Sequence, residues 1–168
     1  MNVNNIGAAA AVNSHYLYPG MLFAKDGQYV ISTILGSCVA VCLWDNVLRQ
    51  GGMNHYLLPL WNGEGLPTPK YGNVAIPMLI EKMRLIGSRK DNLKAKVFGG
   101  GSVLESLCGS IDVGNRNIIL AEEILVSEKI SVISSDVGGK SGRKIFFVTD
   151  TGEVFVRKFK DTKNVVSV

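Results

Sequence analysis

A thiol and an imidazole lie close together in the first third of the chain. Cys38 directly follows a Leu-Gly-Ser turn, and His55 comes one short hairpin later. A thiol is a good nucleophile only as its thiolate, so it needs a nearby base or cation. It also needs hydrogen-bond donors for the oxyanion that its attack creates. The turn at Gly36 and Ser37 offers free backbone N–H groups for that purpose. The spacing therefore predicts a cysteine nucleophile with His55 as its base, and a Cys38 pKa below the free-thiol value of about 8.5.

The other two cysteines, Cys42 and Cys108, have apolar neighbours and are predicted to be buried structural thiols. In a strand, Cys38 and Cys42 would be about 13 Å apart, too far for a shared zinc ion or a disulfide. We therefore expect no zinc site at these residues, and attack by a cysteine nucleophile needs no metal and no cofactor. His15 has no chemical partner nearby in the sequence and is interpreted as a leader or surface residue.

A glycine run at residues 99–101 lacks the G-x-G-x-x-G spacing of a dinucleotide-binding loop. It also lacks the acidic residue expected about twenty positions later in such a loop. The run is instead typical of a tight turn where two backbones approach closely. We assign it no chemistry.

The hydrophobic periodicity predicts short strands interrupted by two helices. The helices are expected over 73–86, ending near Gly87, and over 115–129, where Asn117 and Glu122 belong to a polar face. A proline-containing stretch, 59–70, is predicted to be a loop that forms a mobile rim of the site. The predicted strands are 29–33, 39–44, 53–58, 95–98, 130–134, 144–149 and 153–159, the last two joined as a hairpin through 150–152.

Length and composition predict one domain over 15–160, with a mobile leader at 1–14 and a polar tail at 161–168. No apolar run approaches the roughly 18 residues of a membrane helix, so no membrane insertion is expected. The odd cysteine count and the lack of a signal peptide favour the cytoplasm. The net charge is +4, and its basic stretches indicate a solvated face or a surface for an acidic partner. No nucleic-acid recognition motif is present.

Two long motifs resemble the signature of the CheD family of bacterial chemotaxis. They are Ser-Thr-Ile-Leu-Gly-Ser-Cys-Val-Ala-Val-Cys-Leu-Trp-Asp at 32–45 and Gly-Gly-Met-Asn-His-Tyr-Leu-Leu-Pro at 51–59. Shorter likenesses follow at 71–72, 97–101, 136–139 and 142–144, so the resemblance covers about residues 17 to 160.

This resemblance implies an α/β fold of the α+β type, with packed sheets flanked by helices, as in the catalytic domain of the cytotoxic necrotizing factor toxins. It implies a protein-glutamine deamidase that acts on the cytoplasmic helices of chemoreceptors through a Cys38 thioester, with Gly36 and Ser37 in the oxyanion turn. Three alternatives remain open: a binding module for a CheC-type phosphatase, receptor methylesterase activity at the same site, and a cysteine hydrolase of small molecules.

In the CheD family a threonine shortly before the cysteine orients the histidine. Thr33 lies five positions before Cys38, whereas counting back six positions gives Ser32. Neighbouring strand residues point to opposite faces, so one of the two can serve. We favour Thr33 and keep Ser32 as the alternative.

Overall fold

A computed structural model describes residues 12–102 and 112–159 of the chain. Within these ranges it contains nine strands and two α-helices. The strands are β1 Asn13–Tyr16, β2 Leu22–Ala24, β3 Tyr29–Leu35, β4 Val39–Asp45, β5 Gln50–Asn54, β6 Leu93–Gly99, β7 Ser131–Val137, β8 Arg143–Val148 and β9 Val154–Lys158. The helices are α1 Gly72–Leu85 and α2 Val113–Ser127. None of the described helices is long and apolar enough to cross a membrane.

The strands form two sheets. The four-stranded sheet has the order β1-β3-β8-β9, with β1 parallel to β3 and the other neighbours antiparallel. The five-stranded sheet has the order β2-β5-β4-β6-β7, with β7 parallel to β6. The chain passes from the first sheet to the second between β3 and β4, so Gly36 and Ser37 form the crossing.

Two hydrophobic clusters hold three layers together. The first joins α1 and α2 to the outer face of the five-stranded sheet, with Leu79 and Leu125 fully buried. The second lies between the two sheets and joins Ile31 and Phe147 of one to Met53 of the other. Because β4 is covered on both faces, it is almost continuously apolar instead of alternating. Burial of apolar surface on both sides of one sheet therefore fixes the order of the layers.

The α+β architecture predicted from the sequence is confirmed, as are both helices, the 59–70 loop and the β8–β9 hairpin. The predicted strand over 53–58 was shifted, since β5 spans Gln50–Asn54. The reason is local: the Asn54 side-chain oxygen accepts the Val41 N–H at 2.8 Å and interrupts the ladder between β4 and β5. Sequence patterns did not predict β1 or β2. Asn13 and Ser14, at the end of the predicted leader, pair with Tyr29 and Val30.

Candidate active site

The turn that carries Cys38 is fixed by the glycine run that follows β6. The Gly101 N–H donates to the Gly36 carbonyl, and the Gly100 N–H donates to the Cys38 carbonyl, both at 2.8 Å. Gly99 and Gly100 have φ values of +105° and +67°. A Cβ on Gly99 would clash with the Cys38 carbonyl oxygen, and one on Gly100 would clash with the Ile118 side chain. The run is thus a close backbone approach, as predicted, and it shapes the cysteine turn.

Two N–H groups of this turn, those of Ser37 and Cys38, donate to no backbone carbonyl among residues 12–102 and 112–159. The Cys38 N–H instead lies near its own sulfur, where it favours the thiolate. Free N–H groups beside a nucleophile are the donors that an oxyanion requires.

His55 is held at both the ring and the backbone. The Thr33 hydroxyl lies 2.7 Å from His55 Nδ1 and 2.7 Å from the Leu17 carbonyl oxygen. That carbonyl can only accept, so the single hydroxyl proton of Thr33 goes to Leu17 and Thr33 accepts from Nδ1–H. The His55 backbone exchanges hydrogen bonds with Met21 and Gly20 at 3.0 and 2.8 Å. His55 is 1% exposed.

This arrangement fixes the tautomer of His55. With the proton on Nδ1, the lone pair of the neutral ring lies on Nε2. Nε2 is buried and has no hydrogen-bond partner among the described residues. The ring therefore presents an unengaged basic nitrogen.

Strand register brings Cys38 and His55 onto one face of the sheet. Val39 and Tyr56 form an antiparallel bridge, with N–O distances of 3.1 and 3.0 Å. Cys38 precedes Val39 and His55 precedes Tyr56, so the two are diagonal neighbours facing the inter-sheet cluster, against which Cys38 packs. Diagonal Cα atoms lie about 7–8 Å apart, within reach of their side chains.

Strand alternation separates the two candidate orienting hydroxyls. Thr33 is fully buried with Ile31 and Leu35 on the face that meets the second sheet, whereas Ser32 lies on the opposite face. The structure therefore brings the Thr33 hydroxyl to His55 and does not bring that of Ser32.

Burial keeps the pair uncharged. It lowers the pKa of His55 from 6.5 to about 4. It also raises the pKa of the Cys38 thiol, an effect that the thiol's own backbone N–H partly offsets. The direction for Cys38 is opposite to the one expected from the sequence. A neutral imidazole beside a neutral thiol can act as a general base that takes up the sulfur proton, whereas a preformed thiolate would need a charged imidazolium.

Asn117 is a site neighbour that the sequence patterns misplaced. It was expected on the polar face of the second helix, but it is fully buried. Its Nδ2 donates to the carbonyl oxygens of Ser37 and Leu57, at 3.0 and 2.9 Å. These contacts join α2 to the backbone beside both Cys38 and His55. The sequence did contain a signal for the burial of Asn117. This residue shares a helix face with Gly114 and Ile118, and that face is buried.

The remaining candidates lie outside this arrangement. Cys42 is 1% exposed inside the inter-sheet cluster, and burial raises the pKa of its thiol strongly. His15 lies in β1 and stacks on Phe23 with ring centroids 3.9 Å apart. Cys108 lies outside the described residues. No group of three or more metal-ligating side chains occurs in the described part of the chain.

A buried arginine, Arg143, stabilises the segment that pairs with the glycine run at 99–101. Arg143, which is 1% exposed, bonds to the carboxylate and carbonyl of Asp136 and to the Gly138 carbonyl. Gly138 in turn donates its N–H to the Gly99 carbonyl at 2.9 Å. The motifs at 136–139 and 142–144 thus stabilise the loop that holds the cysteine turn.

Comparisons with known proteins place the chain in a family. A family model described as CheD, chemotactic sensory transduction, matches residues 57–158. A protein of Trichlorobacter lovleyi named probable chemoreceptor glutamine deamidase CheD is 48% identical over 149 residues, which is 89% of this chain and 92% of the relative. A protein of the same name from Sulfurimonas denitrificans is 44% identical over 149 residues, 88% of this chain and 96% of the relative. Because the first alignment spans 149 of the 168 residues, it must include both Thr33 and His55. The chain belongs to the CheD family.

Proposed function

We propose that this protein deamidates glutamine side chains of chemoreceptors. The observation that carries the proposal is the hydrogen-bonded chain from Leu17 through Thr33 to His55, beside the Cys38 turn. It leaves His55 Nε2 without a partner among the described residues, and the neighbouring turn carries a thiol and two backbone N–H donors. The names of the relatives, probable chemoreceptor glutamine deamidases, supply the substrate class.

The first half of the reaction makes a thioester. His55 Nε2 takes the Cys38 proton as the sulfur attacks the carboxamide carbon of the substrate glutamine. The carbonyl oxygen becomes an oxyanion that accepts hydrogen bonds from the backbone N–H groups of Cys38 and Ser37. When the intermediate collapses, the C–N bond breaks and the Nε2 proton leaves with the nitrogen as ammonia.

The second half releases the product. His55 Nε2 takes a proton from water, and the resulting hydroxide attacks the thioester carbon. The C–S bond breaks, the Nε2 proton returns to the Cys38 sulfur, and glutamate forms. Throughout both halves Thr33 accepts from Nδ1–H and so keeps Nε2 directed at the reacting atoms. The balance is one glutamine and one water consumed for one glutamate and one ammonia.

We also propose that the reaction takes place in the cytoplasm. The described cysteines, Cys38 and Cys42, are free thiols, and free thiols persist in reducing compartments. A CheC-type partner and a methylesterase activity at the same site remain predictions of the sequence resemblance. Methyl-ester hydrolysis would pass through the same thioester.

The test is mass spectrometry of a purified chemoreceptor cytoplasmic fragment incubated with the protein. Each converted glutamine adds about 1 Da through amide-to-acid hydrolysis. Cys38→Ala is expected to abolish the gain. The matched control, Cys42→Ala, lies in the same strand region and is expected to keep activity at a small cost in stability from the cavity. Full conversion by Cys38→Ala would refute the mechanism.

Thiol reactivity separates an enzyme from a binding module. An enzyme with this site is expected to lose activity in proportion as iodoacetamide alkylates Cys38. A protein that does not convert the receptor fragment before alkylation would favour a binding module, whereas conversion that survives alkylation of Cys38 would show that another group is the nucleophile.

A further inference from the structure

We propose that Asn117 is a positioning residue that sets the direction of the oxyanion-binding N–H of Cys38. This inference rests on the proposed function and adds a group to it that the sequence signature of the site lacks. Asn117 lies on α2, in a different layer from the strands that carry Thr33 and His55. Its role therefore depends on how the helix layer meets the cysteine turn.

The side-chain amide of Asn117 is used completely on its donor side. An amide nitrogen carries two hydrogens, and here one goes to the Ser37 carbonyl and the other to the Leu57 carbonyl. Both partners can only accept, so the orientation of the amide is determined by its surroundings. Asn117 is fully buried, which makes each of these bonds costly to lose without replacement.

The bond to Ser37 determines where the next N–H points. The peptide unit between Ser37 and Cys38 is planar, and in a trans peptide the C=O and N–H point in opposite directions; the described chain has no cis peptide bond. Holding the Ser37 carbonyl against α2 therefore directs the Cys38 N–H away from the helix. The Cys38 sulfur is carried by the same residue as this N–H, so the donor lies beside the attacking atom.

The bond to Leu57 couples the histidine strand to the same amide. Leu57 follows His55 by two residues, and Tyr56 between them pairs with Val39. One amide thus connects the backbone on both sides of the Cys38–His55 pair. Removing it would let the Ser37 peptide rotate while leaving Thr33, His55 and the thiol in place.

The experiment compares Asn117→Ala with Tyr56→Phe. Tyr56 donates its hydroxyl to the Asn117 backbone carbonyl at 2.5 Å, so Tyr56→Phe also weakens the attachment of α2 but leaves the Asn117 amide intact. Two reactions are followed: conversion of the receptor fragment and hydrolysis of p-nitrophenyl acetate, which also passes through an oxyanion. Alkylation by iodoacetamide is measured in parallel, because displacement at a saturated carbon forms no oxyanion.

Loss of a directed oxyanion donor predicts that Asn117→Ala lowers kcat about 100-fold for both reactions with KM nearly unchanged. Alkylation of Cys38 is expected to stay within about twofold of the wild-type rate, and Tyr56→Phe is expected to keep kcat within about threefold. Asn117→Ser, which retains one donor, is expected to lose less than Asn117→Ala, and it serves as the second variant if alanine prevents folding.

The inference is overturned if Asn117→Ala retains kcat, or if alkylation falls as much as kcat, since the thiol itself would then be displaced. A protein that hydrolyses the ester in an Asn117-dependent way but leaves the receptor fragment unchanged would refute the proposed substrate and support the inference. A protein that converts the fragment independently of Asn117 would support the proposed substrate and refute the inference.

Discussion

At the scale of single residues, the site depends on one hydroxyl proton. Thr33 has one hydrogen to give and two neighbours within 2.7 Å. Because the Leu17 carbonyl takes it, His55 must carry its own proton on Nδ1. The segment before β2 thus selects the tautomer of a histidine that lies some 38 residues further on.

Thr33→Val is expected to lower kcat by about 10- to 100-fold with little change in KM, less than the ~10⁴-fold loss seen when a charged orienting residue is replaced. The change keeps the shape and β-preference of the residue, so what is lost is the acceptor for Nδ1–H. Steady-state kinetics on the receptor fragment, below the unfolding temperature, measure the effect. Ser32→Ala is the control on the opposite face. A larger loss in Ser32→Ala would reverse the assignment.

The two titrating groups predict a pH profile that differs from a preformed thiolate–imidazolium pair. With a His55 pKa of about 4, the base is neutral at every pH above about 5, so kcat is expected to be flat down to that pH and to fall near 4. Because burial raises the pKa of Cys38, iodoacetamide alkylation is expected to rise with a midpoint above about 8.5. His55→Ala should abolish turnover and move that midpoint little. A midpoint well below 8.5 that rises in His55→Ala would establish an ion pair instead.

At the scale of elements, the cysteine turn is held by a loop with almost no side chains. The glycine run after β6 donates to Gly36 and Cys38, and Gly114 of α2 packs against its backbone. Such contact between backbones requires glycine for space as well as for the positive φ at Gly100. The loop is therefore a structural part of the site although it supplies no reacting group.

Gly100→Ala is expected to lower both turnover and the free energy of unfolding, the latter by about 1–3 kcal/mol. The new methyl would meet the Ile118 side chain and push the loop off Cys38. Gly27→Ala is the matched control, because Gly27 also has a positive φ, +99°, but its Cβ would meet only an ordinary contact with Tyr29. Denaturant unfolding and receptor-fragment kinetics measure the pair. Equal losses of turnover in both variants would mean that the contact with Cys38 has no role.

The sequence predicted β3 and β4, which flank Cys38, and both helices, because these elements are long and strongly patterned, whereas the strand before His55 was predicted with shifted bounds. It did not predict β1 and β2, which have four and three residues and no apolar alternation to detect. The burial of Asn117 was not predicted for a different reason. Its partners, Ser37 and Leu57, are 80 and 60 residues away in the chain, and periodicity describes only neighbours within one element. The pKa direction of Cys38 likewise depends on burial that only the packed layers create.

At the scale of the whole molecule, burying a histidine makes stability depend on pH. The folded pKa of His55, about 4, lies below its ordinary value of 6.5. Between these two values the unfolded chain binds a proton that the folded chain does not bind. The free energy of unfolding therefore falls as the pH is lowered through this window.

The expected loss is about 3 kcal/mol between pH 6.5 and 4, from about 1.4 kcal/mol for each pKa unit. Urea unfolding of the wild type and of His55→Gln at several pH values measures it. The carboxylates titrate in both proteins, so the difference between the two curves isolates His55. Parallel curves would show that His55 becomes protonated without cost in the folded protein.

The hydrogen bond between Thr33 and His55 spans two different sheets, since Thr33 lies in β3 and His55 follows β5. Its length, 2.7 Å, ties the reactive ring to the spacing between those sheets, and hydrogen bonds weaken within a few tenths of an ångström beyond their preferred range. Side chains between the sheets, such as Met53 and Phe147, stabilise the fold and, in the proposed mechanism, also set the distance that this hydrogen bond requires. A substitution that enlarges a side chain between the sheets is then tolerated chiefly when the side chain facing it becomes smaller. Exposed residues of β9 are free of that constraint. We therefore expect substitutions to accumulate faster at these positions than at the positions between the two sheets.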